Sequence, residues 1–261
     1  MTAQREGFSK SLTDFNSNLQ DQELRDALSY YTLSGTMGHL LDGIEDNLKL
    51  SSFTTFELED LMNLGEKNII PVLLYLFHKI EKSLDGRPSA IFLDEAWIML
   101  GHTVFRDKIR EWLKVLRKAN CIVVLATQSL SDAAKSNILD VLQESCPSKI
   151  FLPNTQAFNQ GSNNIPGPYD FYKLFGLNDA QINIIANATP KREYYYESAI
   201  GNRLFNLALG KIALAFVATS SKEDVKECKN LIELYGENWA FRWLEQKNVN
   251  YQKFYQGVKN A

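Results

Sequence analysis

A chain of 261 residues with 45% hydrophobic content can bury one large core, or one core with a small appendage. Its formal charge of −3 and sequence pI near 5.7 exclude an overall attraction for nucleic acid while leaving room for a local basic patch. Cys121, Cys146 and Cys228 are too scattered for a disulfide framework or a zinc site and fit a reducing cytosol, no stretch reaches membrane-span length, and Met1-Thr2-Ala3-Gln4-Arg5-Glu6 is no signal peptide.

Residues 1 to about 20 are polar and read as a loosely helical lead-in. Asp21 is placed to cap a helix in which Leu24, Ala27, Leu28 and Tyr31 share a face, with Gly35 closing it and Gly38 to Gly43 forming a turn. Ser52 to Leu58 reads as a strand. Pro71, near a first helical turn, opens a helix carrying Leu73, Leu76, Phe77, Ile80 and Leu84, which Gly86 ends. His39, His78 and His102 are isolated from any metal-ligand partner and read as structural.

Pro88 leads into Ser89-Ala90-Ile91-Phe92-Leu93, an unbroken apolar run that ends in Asp94-Glu95, the pattern of a strand buried on both faces of a parallel sheet. In open α/β sheets ligands collect beyond the C-terminal strand ends. Asp94 and Glu95 therefore stand where a phosphate-bound Mg²⁺ and an attacking water are handled, the Walker B pattern. Phe105, Ile109, Trp112, Leu113 and Leu116 follow at helical spacing, with Arg106, Arg110, Lys114, Arg117 and Lys118 on the other face, and Asn120 at the helix end. Arg117 and Lys118 are expected close to the sheet edge where ligands bind. Cys121 to Thr127 reads as a second buried strand ending in Gln128, and Ser131 as the cap of a helix holding Ala134, Ile138, Val141 and Leu142.

Lys149 to Pro153 reads as another short strand, and 154–168 as a polar surface insertion. Tyr169 to Ala188 predicts two short helices, the second capped by Asn178. Residues 191–197, 203–209 and 212–217 read as three hairpin strands turning at Gly201-Asn202 and Gly210-Lys211, and Ser221 to Lys247 as helical.

Ile91 to Trp97, Phe105 to Lys114, Leu116 to Asn120 and Ala126 to Asp132, followed by Cys146 to Pro153, Phe175 to Asn178, Pro190 to Tyr196 and Gly201 to Phe205, together resemble the type IV secretion and conjugal-transfer ATPases of the VirB-four and TrbE class. The resemblance covers about residues 30 to 246. It implies an α/β, RecA-like fold of the P-loop NTPase type: a mostly parallel sheet with flanking helices, plus C-terminal hairpins and helices. The implied organisation is a helical lead-in over 1–30, the Walker B side of the ATPase core over 31–153, the insertion over 154–168, and a remainder over 169–261 that completes the same domain.

The resemblance also implies roles. Asp94 matches the metal-handling carboxylate, Glu95 the catalytic one and Gln128 the glutamine that follows the next strand. Arg117, eleven residues before Gln128, stands where related motors place an arginine finger, with Arg192 as the second basic candidate. ATP and Mg²⁺ are the implied cofactors. The implied partners are further copies in a hexamer and other inner-membrane components of the secretion machine, with the chain cytoplasmic and peripherally attached; DNA contact is not indicated by charge. The family's Gly-x-x-x-x-Gly-Lys-Ser/Thr loop has no counterpart here, because the Gly210-Lys211 pair has Phe205 and Ile212 at the flanking required positions. The expectation is thus the C-terminal portion of such an ATPase, inactive alone. A DNA-translocating pump of the FtsK and HerA kind and a non-catalytic assembly scaffold are the alternatives.

Overall fold

The structure is a computed structural model that describes residues 10–58, 61, 63–95, 102–162 and 165–252. Its contacts divide into two compact units, Met1–Pro147 with Gln160–Gly176, and Ser148–Asn159 with Leu177–Ala261. Residues 177 onward thus group with Ser148–Asn159.

In the first unit, α1 (Leu12–Ser17), α2 (Gln22–Ser29) and α3 (Gly38–Leu41) precede the long helix α4 (Glu66–Ser83). Asp21 caps α2 by accepting from the Leu24 N–H at 3.1 Å, as its sequence position predicts. This N-terminal segment is gathered around Asp42, which is 9% exposed and accepts hydrogen bonds from the Leu12, Thr13 and Leu33 N–H groups and the Thr13 hydroxyl. Burial raises the Asp42 carboxyl, but these four donors outweigh it and hold the group below its ordinary value. Gly38 opens α3 where a Cβ would lie 2.0 Å from the Thr32 carbonyl oxygen, so only glycine fits the close return of the chain. Residues 52–58, read from the sequence as a strand, form none, and Phe53 is 86% exposed.

The sequence places Pro71 near the start of a helix, but α4 begins at Glu66 and Pro71 lies inside it. Proline has no N–H for the carbonyl four residues earlier, which belongs to Lys67. The Tyr31 hydroxyl donates to that carbonyl at 2.9 Å, and the neighbouring Tyr30 hydroxyl donates to the Asn68 side chain at 2.9 Å. The orphaned acceptor is thereby satisfied by a side chain from another element.

Beyond α4 come β1 (Ser89–Leu93), α5 (Thr103–Val115), a 3₁₀ turn (Leu116–Ala119), β2 (Cys121–Leu125), α6 (Leu130–Lys135), α7 (Leu139–Ser145) and α8 (Pro168–Leu174). Strands β1 and β2 pair in parallel, Ser89 opposite Cys121 through Leu93 opposite Leu125, with α5 as their crossover. Ile69, Leu73 and Phe77 of α4 meet Phe105, Ile109 and Trp112 of α5, and the Phe77 and Trp112 ring centroids are 4.5 Å apart. Asn120 closes the crossover in the left-handed conformation, φ 56°.

Three expectations change in this unit. Neither strand is buried on both faces: Ile91, Leu93, Val123 and Leu125 pack on the core, whereas Phe92 is 72% and Ile122 62% exposed. Ser129, not Ser131, caps α6, its hydroxyl accepting from the Ser131 N–H at 3.2 Å. The single helix expected through Ile138 is two, because Asn137 turns to positive φ between them.

The second unit contains β3 (Lys149–Phe151), α9 (Asp179–Asn187), β4 (Glu193–Ser198), β5 (Gly201–Asn206), α10 (Lys211–Val217), α11 (Lys222–Tyr235) and α12 (Trp239–Gln246). Strand β3 pairs antiparallel with β4 and so does not extend the β1–β2 layer; β4 and β5 form a hairpin that turns at 199–200, before Gly201. The described residues are therefore mixed α and β, with a small two-stranded parallel sheet and a three-stranded antiparallel one. Asn178 caps α9 reciprocally with Gln181, as predicted. The run 212–217, read as a strand, is helical. A short apolar run has no decisive period, Ala213, Leu214 and Ala215 favour helix, and the Ala215 carbonyl accepts from the Trp243 indole N–H at 2.7 Å.

Candidate functional site at the ends of the parallel strands

The C-terminal ends of β1 and β2 lie side by side, and the Ala126 N–H donating to the Leu93 carbonyl at 2.9 Å carries the ladder one step past the strands. Asp94 and Glu95 leave the end of β1. The Asp94 Oδ1 accepts the Glu95 N–H at 3.0 Å, and Glu95 adopts φ 52°, a left-handed conformation that a side chain with a Cβ rarely takes. Ala96 and Trp97, which belong to the same sequence motif, lie outside the described residues.

Gln128 arrives from β2 through a small turn. The Thr127 hydroxyl accepts the Ser129 N–H at 3.2 Å and donates to the Ser129 carbonyl at 3.0 Å, which holds the peptide groups on either side of Ser129. The Gln128 Nε2 then donates to the Glu95 Oε1 at 2.5 Å. Two residues 33 apart in sequence thus share one hydrogen bond across the strand ends. Glu95 is half-buried, Asp94 and Gln128 are exposed, and the site is open to a ligand from solvent. Sequence reasoning misses Thr127 and Ser129; a Thr-x-Ser turn directly after an apolar strand is the signal that identifies them.

The basic candidates stand elsewhere. Arg117 is exposed and lies in the 3₁₀ turn that enters β2, so it sits at the N-terminal end of the parallel strands, opposite Glu95 and Gln128. The expected closeness to the ligand-binding edge is corrected by the parallel register itself. Arg192 belongs to the second unit, where its carbonyl accepts the Leu207 N–H at 2.8 Å just ahead of β4. Gly210 and Lys211 begin the seven-residue α10 and form no phosphate loop.

A divalent cation finds only some of its ligand set here. Among the described residues no three His, Cys, Asp or Glu side chains gather as a metal site. A single carboxylate such as Asp94 suits Mg²⁺, which keeps several waters and completes its shell with phosphate oxygens. The donor set therefore fits a magnesium ion that arrives with a nucleotide.

Comparison with known proteins gives the geometry a relationship. No protein-family model matches the chain. Over 240 residues, 92% of the chain, it is 58% identical to the conjugal transfer protein TrbE of Rhizobium radiobacter. The chain belongs to the TrbE and VirB4 family. A probable conjugal transfer protein of the TrbE type from Sinorhizobium fredii is also 58% identical, over 241 residues. The chain spans 28% of the first relative and 36% of the second, corresponding to the C-terminal portion of these TrbE proteins. The solved structure of VirB4 of Thermoanaerobacter pseudethanolicus superposes with a TM-score of 0.52, covering 72% of this chain and 50% of that one at 18% identity, which is a likeness of fold.

Proposed function

We propose that this chain is the C-terminal portion of a RecA-like ATPase that powers type IV secretion or conjugative transfer, hydrolysing ATP at the subunit interfaces of an oligomer. The observation that carries the reading is the Gln128 to Glu95 hydrogen bond across the C-terminal ends of two parallel strands. In this reading Glu95 orients and polarises the attacking water, and Gln128 holds the Glu95 carboxylate in place and senses whether the γ-phosphate is present. Asp94 would hold a magnesium ion, which would neutralise charge on the phosphates. Arg117 acts as a finger toward a neighbouring subunit, a role that its distance from its own Glu95 allows; Arg192 is the second candidate.

Relatives described as conjugal transfer proteins support the assignment over a DNA pump or a scaffold. Among the described residues no helix is long and apolar enough to cross a membrane, so attachment to the inner membrane is proposed to run through partner components of the secretion machine.

The test is ATP hydrolysis by a TrbE-length polypeptide carrying these residues. Glu95→Gln is expected to lower turnover by roughly 10²-fold or more, the range lost with a general base. The 261-residue chain by itself is expected to show no turnover. Full activity in the Glu95→Gln protein, or an activity of the isolated chain that Glu95→Gln removes, overturns the corresponding element of the reading.

A further inference from the structure

An exposed glutamine side chain samples several rotamers in water, and ordering it costs conformational entropy. Gln128 is exposed, and among the described residues the Glu95 carboxylate is the one hydrogen-bond partner of its side chain, as Gln128 is of that carboxylate. Such a pair keeps one geometry only where the backbone beneath it is held. The parallel ladder ends at the Ala126 N–H and α6 begins at Leu130, so neither element holds the peptide that joins Gln128 to Ser129. The N–H of that peptide goes to the Thr127 hydroxyl at 3.2 Å, and the same hydroxyl donates to the Ser129 carbonyl at 3.0 Å. Threonine suits the place, because its β-branch narrows χ1 and fits a chain that has just left a strand.

We infer that Thr127 is a positioning residue for the reaction proposed above: its hydroxyl grips the backbone around Ser129 and so keeps the Gln128 amide on the Glu95 carboxylate. Its part in turnover rests on that reading of Glu95. The two hydroxyls of the turn have separate tasks. The Ser129 hydroxyl accepts the Ser131 N–H at 3.2 Å and lies 2.8 Å from the Ser131 hydroxyl, so it serves the start of α6. The Thr127 hydroxyl bonds only to backbone, on the Gln128 side of that cap. Thr127 is exposed, where water replaces lost hydrogen bonds, so its two bonds add little to stability. What they supply is geometry. A group that handles the attacking water has to be held within about 0.5 Å of its working position. A misplacement of about 1 Å costs roughly 10²-fold in rate.

The experiment compares Thr127→Val, Thr127→Ser and Ser129→Ala in the 261-residue chain and in a TrbE-length polypeptide carrying it. The first probe is the Gln128 side-chain amide resonance of the 261-residue chain, assigned by its loss in Gln128→Glu, with Glu95→Ala as the reference for an amide without its acceptor. Thr127→Val is expected to move that resonance to its Glu95→Ala position at an unchanged melting temperature. Thr127→Ser should leave it at the native position, and Ser129→Ala should lower the melting temperature while leaving it there too. The second probe is turnover of the longer polypeptide, where Thr127→Val is expected to lower kcat roughly tenfold or more with KM for ATP unchanged, and Thr127→Ser to restore it. A native Gln128 resonance in Thr127→Val overturns the inference whatever the turnover. So does unfolding of Thr127→Val, which makes the hydroxyl part of the fold, or an equal displacement in Thr127→Ser, which shows that the hydroxyl is not what holds Gln128. The resonance is read without nucleotide, so a displaced resonance with full turnover sinks the hydrolysis reading of Gln128 and leaves the hold of Thr127 on it standing.

Discussion

Gln128 holds Glu95 by a 2.5 Å hydrogen bond while Glu95 keeps a left-handed backbone, φ 52°. A strained residue tied by a partner at a strand end is the arrangement expected where geometry serves a ligand rather than stability. Glu95→Gly is therefore expected to stabilise the chain by about 0.5–1 kcal/mol, the left-handed penalty removed less the extra freedom of glycine in the unfolded state. Chemical denaturation of the isolated chain measures it. A destabilised Glu95→Gly chain would show that the carboxylate matters more to the fold than the strain does.

Arg117 tests the finger role against a structural one. Leu116 beside it is 5% exposed, whereas Arg117 projects into solvent, so Arg117→Ala is expected to change stability by less than about 1 kcal/mol. In an oligomer of TrbE-length protein the same change should lower hydrolysis by roughly 10³-fold or more. Mixing it with a partner that lacks the P-loop lysine should restore some activity. Unfolding, or unchanged turnover in the oligomer, removes Arg117 and leaves Arg192 to be tested.

Several local signals, in which a side chain acts on its own backbone neighbourhood, were legible in the sequence, although the Ser131 cap was misplaced by two residues. The caps at Asp21 and Asn178, the left-handed Asn120 and the apolar spacing of Phe105, Ile109 and Trp112 all appear as read. The encounter of Glu95 with Gln128 was legible too, because two parallel strands bring their C-terminal ends together. What failed depends on partners distant in sequence. Lys149–Phe151 looks like one more parallel strand, yet its partner is β4, some forty residues later. Ser52 to Leu58 reads like a strand but forms none among the described residues. An apolar run of five residues in β1 reads as buried on both sides, and nothing within the run reveals that one side is uncovered.

Asp46 should set both pH limits of its corner of the first unit. It accepts from Lys79 at 2.6 Å and from the Tyr75 hydroxyl, and these bonds lower its carboxyl from 3.8 to about 2. A depressed carboxylate stabilises fully above its unfolded value, and the contribution is lost as pH falls from about 3.8 toward 2. Tyr75 is pushed up from 10.0 to about 12, first by burial and then by Asp46, so its contribution is full below pH 10 and lost as pH rises toward 12. Melting temperatures across this range should show Asp46→Asn flattening the acid limb and reducing the alkaline one. An unchanged acid limb would mean that the ion pair does not persist in solution.

Pro71 and Tyr31 should be coupled. Tyr31→Phe leaves the Lys67 carbonyl with neither an amide nor a hydroxyl donor from the protein, at an expected loss of about 0.5–1 kcal/mol, tempered by water at this exposed position. Pro71→Ala restores an amide to the same carbonyl, so in that background Tyr31→Phe should cost close to nothing. Additive losses in the four-protein cycle would show that the hydroxyl does not substitute for the missing amide.

Those tyrosine contacts also bear on how the protein survives a protease. The run 43–58 has no regular structure, and Phe53 offers itself there at 86% exposure. Cleavage at that point cuts the covalent path between residues 10–42 and α4, yet the Tyr30 and Tyr31 hydroxyls reach Asn68 and Lys67 through space, and Asp42 binds the N-terminal piece to itself. The nicked chain should travel as one particle through a sizing column and separate into two bands only in detergent.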